Sequence, residues 1–200
     1  MRIFNYLSLF ILAAFITACA SQVTTARPTQ SDLTAYSTFA YLPNADISMP
    51  DTELDQEAVN QRIVETVKTQ MQAEGYRLDR DNPDLLVLIS VKRSQETGVE
   101  REAVYATYPY RTYNVNTVSP FYSNYYYNGF YDYGTVAGYD TDTYQYTEGT
   151  LIISLVDRET RNTVWKGMTS EAIYSGSTTD EIVQLVDDIF DEYPINRRAR

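Results

Sequence analysis

The chain has 200 residues, no histidine, one cysteine and a formal charge of −11 from 27 acidic and 16 basic side chains. Without histidine the commonest general base, the usual nucleophilic triads and imidazole zinc sites are all excluded. A chain this acidic repels nucleic acid, whose binding rests on neutralising phosphate with Lys and Arg, so no nucleic-acid partner is expected.

In chain order, Met1 and Arg2 precede a largely apolar stretch from Ile3 to Ile16, followed by Thr17, Ala18 and Cys19. A charged start, a short apolar middle and a small-residue cleavage site have the layout of a signal peptide, residues 1–18. A spanning helix needs about 20 apolar residues, and this run is shorter and holds Asn5 and Ser8. Ile16-Thr17-Ala18-Cys19 resembles the lipobox of bacterial lipoproteins. The resemblance implies cleavage before Cys19, acylation of its thiol and a mature domain held on a membrane by lipid. At roughly 0.8 kcal/mol per buried CH₂, one acyl chain holds marginally and two or three hold firmly. In that family an aspartate after the cysteine retains the protein in the inner membrane; Ala20 stands here, which favours the outer membrane of a diderm bacterium. Once Cys19 is acylated, neither a disulfide nor a thiolate is available to the domain. Residues 19–31 are polar, contain Pro28 and show no apolar period, so they read as a tether.

From Tyr36 to Leu42 the chain alternates, with Phe39 and Tyr41 on one face and Thr38 and Ala40 on the other, which predicts a strand ended by Pro43. Asp51 or Thr52 can cap a helix in which Val59, Ile63, Val67 and Met71 recur every fourth residue, with Gly75 at its C-terminal stop. Asp84 to Val91 and Thr150 to Val156 are apolar on both parities and predict buried strands. Across the polar turn 157–162, Thr163 to Ile173 supplies a hairpin partner carrying Trp165 and Met168. Thr178 and Glu181 form a capping box ahead of Ile182, Leu185, Val186, Ile189 and Phe190, and Pro194 stops that helix. Four strands and two helices, each helix with one apolar stripe, predict a two-layer α+β domain over residues 32–194, with both helices on one face of a four-stranded sheet. Residues 195–200 remain as a basic tail.

The insert from Tyr105 to Tyr146 interrupts this scheme: it holds thirteen of the nineteen tyrosines and only Arg111, Asp132, Asp140 and Asp142 as charges. Loops of this length in a compact domain are uncommon and signal function or disorder. Tyrosine mixed with Ser, Gly and Asn is the composition of antibody binding loops, since the ring gives a rigid contact area with a polar tip. Tyr122, Tyr125, Tyr126, Tyr127, Tyr131 and Tyr133 are the candidate binding surface, for an envelope protein or a glycan. If the insert projects from a completed sheet, its removal leaves a folded domain. Carboxylate chemistry is the one catalytic route left, with Glu148, Asp157 and Glu171 in or beside the strands, and routine turn and edge roles account for these more simply. Asp79, Asp81 and Asp84, and likewise Asp140 and Asp142, open like calcium loops but lack the glycine and distal glutamate. Asp187, Asp188, Asp191 and Glu192 read as the wet face of the second helix. No catalytic residue, metal ligand or cofactor is expected.

The lipobox, YSTFAYLP, the helix ending in EGYRL, DLLVLISV, EGTLIISLVDRETRNTVWKG and IFDEYP follow one another in an order that resembles the bacterial lipoprotein family called domain of unknown function 4136. The resemblance implies a small α+β fold in the cell envelope and no activity. The expected function is therefore a membrane-anchored, non-catalytic binding or scaffolding module, with a carboxylate-dependent hydrolase of envelope glycan as the alternative.

Overall fold

The structure is a computed structural model that describes residues 23–42, 54–91, 100–103, 124–129, 139–142, 149–169, 173 and 177–195. Its strands are β1 (Val23–Ala26), β2 (Thr38–Tyr41), β3 (Arg77–Leu78), β4 (Leu85–Val91), β5 (Glu100–Ala103), β6 (Tyr139–Asp142), β7 (Leu151–Asp157) and β8 (Thr163–Thr169). The helices are α1 (Gln56–Ala73) and α2 (Thr179–Asp191). The signal segment, Cys19, the 195–200 tail beyond Ile195, and Tyr122, Tyr131, Tyr133, Glu148 and Glu171 lie outside the described residues.

The sheet has six strands in the order β1-β8-β7-β4-β2-β3, and β5 pairs with β6 in a separate ribbon. The four expected strands are its contiguous centre, so the four-stranded expectation is corrected only at the edges. β3 is two residues long and parallel to β2, too short to show any period. β1 falls inside the stretch read as a tether, because VTTA has no apolar alternation and earns its place by backbone pairing with β8. The last expected strand stops at Thr169 rather than Ile173. Ile173 instead donates its N–H to the Gly149 carbonyl at 3.0 Å and buries its side chain in the core.

Both helices share one face of the sheet. Val59, Ile63, Val67 and Met71 of α1 and Ile182, Val186, Ile189 and Phe190 of α2 meet Phe39, Tyr41, Val87, Ile89, Ile153, Leu155 and Trp165 in the main core. The helix ends follow from local chemistry. Asp55, rather than Asp51 or Thr52, caps α1, accepting from the N–H groups of Glu57 and Ala58. Its C-terminus is a Schellman turn: Gly75 at φ 88° lets its own N–H reach the Gln72 carbonyl and the Tyr76 N–H reach that of Met71. In α2 the capping box is present, with Thr178 N–H donating to Glu181 at 2.7 Å.

The opposite sheet face is also buried, through Ala40, Leu42, Leu86 and Val156, through Ile152 and Met168, and even at Lys166, which is 1% exposed. A register shift between Leu155 and Val156 inserts an extra residue in β8. It brings both Val164 and Trp165 into the main core, which strict alternation would forbid.

Candidate functional site

Three of the six candidate tyrosines are described, and they lie side by side on the outer edge of β2. β3 covers the first half of that edge, at Thr38 and Phe39. Residues 124–129 cover the second half as a strap: Tyr41 N–H donates to the Tyr125 carbonyl at 2.9 Å, and Tyr127 N–H donates to the Tyr41 carbonyl at 2.9 Å. The sheet is therefore not complete without the insert, which corrects the expectation of a module projecting from a finished fold. A bare β2 edge would leave Tyr41's backbone groups without sheet partners.

The three side chains have different fates. Tyr126 is 8% exposed and belongs to the main core. Tyr127 packs on the other face with Ala40, Leu42 and Leu86. Tyr125 is half-buried against α1, its ring edge-on to Tyr41 at 6.0 Å and under the Lys68 ammonium at 5.2 Å. Its hydroxyl donates to Glu65, which also accepts from Lys68 at 3.0 Å. The Tyr125 hydroxyl and the Lys68 ammonium outweigh partial burial and hold the Glu65 carboxyl below its ordinary range, while Glu65 pushes both partners' pKa values up. Tyr41, fully buried, donates its hydroxyl to the Val64 carbonyl at 3.1 Å.

A polar latch closes the strap. Arg80 donates through Nε to the Tyr126 carbonyl at 3.0 Å and through Nη2 to Asn128 Oδ1 at 2.9 Å. Asn128 returns its backbone N–H to the Arg80 carbonyl at 2.9 Å and its amide to Asp81. Glu65, Lys68, Arg80 and Asn128 were not among the candidates; the i,i+3 Glu–Lys spacing on α1 and the Asn128-Gly129 turn pair were their only signals.

The carboxylates singled out in the sequence serve the backbone. Asp79 accepts from the N–H groups of Asp81 and Asn82, both at 3.0 Å, which lowers its pKa. Asp84 accepts from those of Ser37 at 2.7 Å and Thr38 at 2.9 Å, tying β4 to the start of β2. Asp157 accepts from the Thr160 N–H and the Tyr36 hydroxyl, each at 2.7 Å. Burial works to raise its pKa, but these bonds prevail and lower it. Asp140 and Asp142 stand in β6, opposite Glu102 and Glu100 of β5, and not in a loop. Asp187 accepts from Gln70 of α1 at 2.5 Å, so it joins the two helices rather than simply facing water. Among the described residues no three acidic or thiol side chains form a group that could hold a metal ion, and no helix is long and apolar enough to cross a membrane.

A family model described as a domain of unknown function, DUF4136, matches residues 23–195. The fold is similar to that of a DUF4136 family protein from Bacteroides thetaiotaomicron, at 18% identity and a TM-score of 0.51, covering 90% of this chain and 100% of that one. A PDZ domain protein from Parabacteroides distasonis aligns at 14% identity and a TM-score of 0.43, covering 87% of this chain and 35% of that one. A PelC dodecamer from Paraburkholderia phytofirmans aligns at 11% identity and a TM-score of 0.39, covering 84% of this chain and 94% of that one. No curated protein matches the sequence.

Proposed function

Because the chain belongs to the DUF4136 family, whose description carries no activity, we propose its role from its chemistry: a lipid-anchored, non-catalytic envelope module that binds or scaffolds another envelope component through the Tyr-rich insert. The observation that carries this reading is the strap. Tyr125 to Asn128 pin the middle of a 105–146 insert to β2 and to the turn after β3, so the flanking tyrosines are held to a rigid sheet edge. Pinning reduces the ordering cost of a binding loop, the main charge against flexible recognition. Tyr122, Tyr131 and Tyr133 are then the contact residues, Tyr126 is a packing residue, and Tyr125 and Tyr127 fasten the strap to the two faces of the sheet. Anchoring is by lipid on Cys19, in the outer membrane of a diderm host.

The glycan-hydrolase alternative needs one carboxyl with a raised pKa. Asp157, the described member of its trio, is shifted the other way. The binding reading is tested by placing a photo-crosslinking side chain at Tyr122, Tyr131 or Tyr133 in intact cells, with Thr160 as a control on the hairpin turn. A discrete adduct from the insert positions and none from Thr160 is expected. No adduct from any insert position, or the same adducts from the control, would overturn it.

A further inference from the structure

The anchor and the insert meet at one end of the sheet. Val23 pairs with Thr169, the last residue of β8. Leu151, the first residue of β7, donates its N–H to the Thr169 hydroxyl at 3.2 Å and pairs with Val91, the last residue of β4. Val23, Thr169, Leu151 and Val91 thus form one row across four strands, and the 105–146 insert lies in the chain between Val91 and Leu151.

Four residue steps separate Cys19 from Val23. At 3.3–3.6 Å per residue they reach about 14 Å at most, well under the size of the domain. A chain acylated at Cys19 therefore cannot tumble freely above the bilayer. We propose that the corner of the sheet at Val23 faces the lipid surface, so that the insert leaves the fold on the membrane side; this rests on the lipid anchor of the proposed function. The partner recognised by the insert then lies on or in the same bilayer.

The opposite corner is the turn after β3. Asn82 stands beyond β3, which pairs with the start of β2, and just before β4, whose first residue pairs with Asp157 at the far end of β7. Six strand steps along β7 give about 20 Å and five strand spacings about 24 Å, so the diagonal from Val23 to Asn82 is about 30 Å. That diagonal makes the proposal independent of whether the sheet stands on its end or on its edge. The insert suits a bilayer address: it carries thirteen tyrosines and four charged residues, and Tyr rings favour the headgroup level, with an apolar body and a polar tip.

The test uses the full lipidated protein in phosphatidylcholine and phosphatidylethanolamine vesicles containing a headgroup-quencher lipid. With Cys19 acylated, a cysteine introduced at exposed Thr24 or exposed Asn82 is the one free thiol and takes a fluorophore. Strong quenching at Thr24 and little at Asn82 is expected, and a flexible linker of twenty Gly and Ser residues inserted before Val23 should abolish the difference. Equal quenching at the two positions, or stronger quenching at Asn82, in protein that floats with the vesicles overturns the orientation. Protein that does not float overturns the anchor itself, so the two failures are distinct.

Discussion

Tyr126→Ala separates a structural strap from a decorative one. The side chain is 8% exposed and sits in the main core beside the β2 edge. Truncating a buried aromatic costs about 3–5 kcal/mol, and in a domain of this size each kcal/mol moves Tm by about 2–4 °C. A fall of about 6–20 °C is expected. Trp165 is the sole tryptophan and fully buried, so its fluorescence reports the melt without a label. Asn124→Ala, at the exposed start of the strap, provides the control and should stay within about 0.5 kcal/mol of the parent. Excising residues 105–146 removes Tyr126 and the two backbone bonds to Tyr41, so it should destabilise at least as much, far beyond the ~0.6 kcal/mol that doubling or halving a loop changes. A Tyr126→Ala protein melting within about 2 °C of the parent would refute the argument that the insert completes the core.

Other perturbations test other parts of the account. Gly149 has φ 84°, and a Cβ there would lie 2.1 Å from the Ile173 carbonyl oxygen, so Gly149→Ala should cost more than the ~1–3 kcal/mol of left-handed strain alone; an unchanged urea midpoint would contradict it. Ile63→Asp or Ile189→Asp sets a charge among fully buried side chains, a loss of several kcal/mol against a total of about 5–15, and far-UV circular dichroism should show a largely unfolded chain. The Tyr36–Asp157 pair limits stability at both ends of the pH scale. Asp157 has a folded pKa below its unfolded one, so its contribution is complete above about pH 4 and is lost as pH falls through the lower value. Tyr36 is pushed up to about 12 by burial and by Asp157, so stability declines from about pH 10, where the unfolded chain ionises first. Asp157→Asn should flatten the acid limb of Tm against pH, and an unaltered limb would remove Asp157 from the explanation. Cys19→Ser should take up no palmitate and wash off membranes, whereas a variant still membrane-bound beside an unlabelled parent would end the lipoprotein reading.

What was legible in the sequence was whatever the chain repeats or caps locally. The α1 stripe at Val59, Ile63, Val67 and Met71, the Gly75 stop and the Thr178–Glu181 box all stand where their spacing places them. β1 and β3 were not legible, since four and two residues cannot show a period and their partners are named only by the folded sheet. Val164 and Trp165 escape strict alternation because the β8 irregularity has no mark of its own in the sequence. The site was the least legible part. Tyr125, Tyr126 and Tyr127 are the same letter three times, yet one clasps a helix, one fills the core and one lies on the opposite sheet face. Composition singled out the segment as a binding surface; only the pairing with Tyr41 distinguishes its fastening residues from those left to make contacts.

The β1–β8 pairing has a bearing on how the molecule is made. The ribosome finishes residues 23–26 early, but their partners at 166–169 follow roughly 140 residues later. At ~5–20 residues per second that is about 7–30 s in which the first strand is synthesised and cannot be docked. The β4–β7 pairing likewise spans the whole insert, so the sheet has few local contacts from which to start and folds late, with high contact order. For a chain delivered across a membrane amino end first, that delay is an advantage: it stays threadable until β8 has crossed, and then closes from its last strand back to its first.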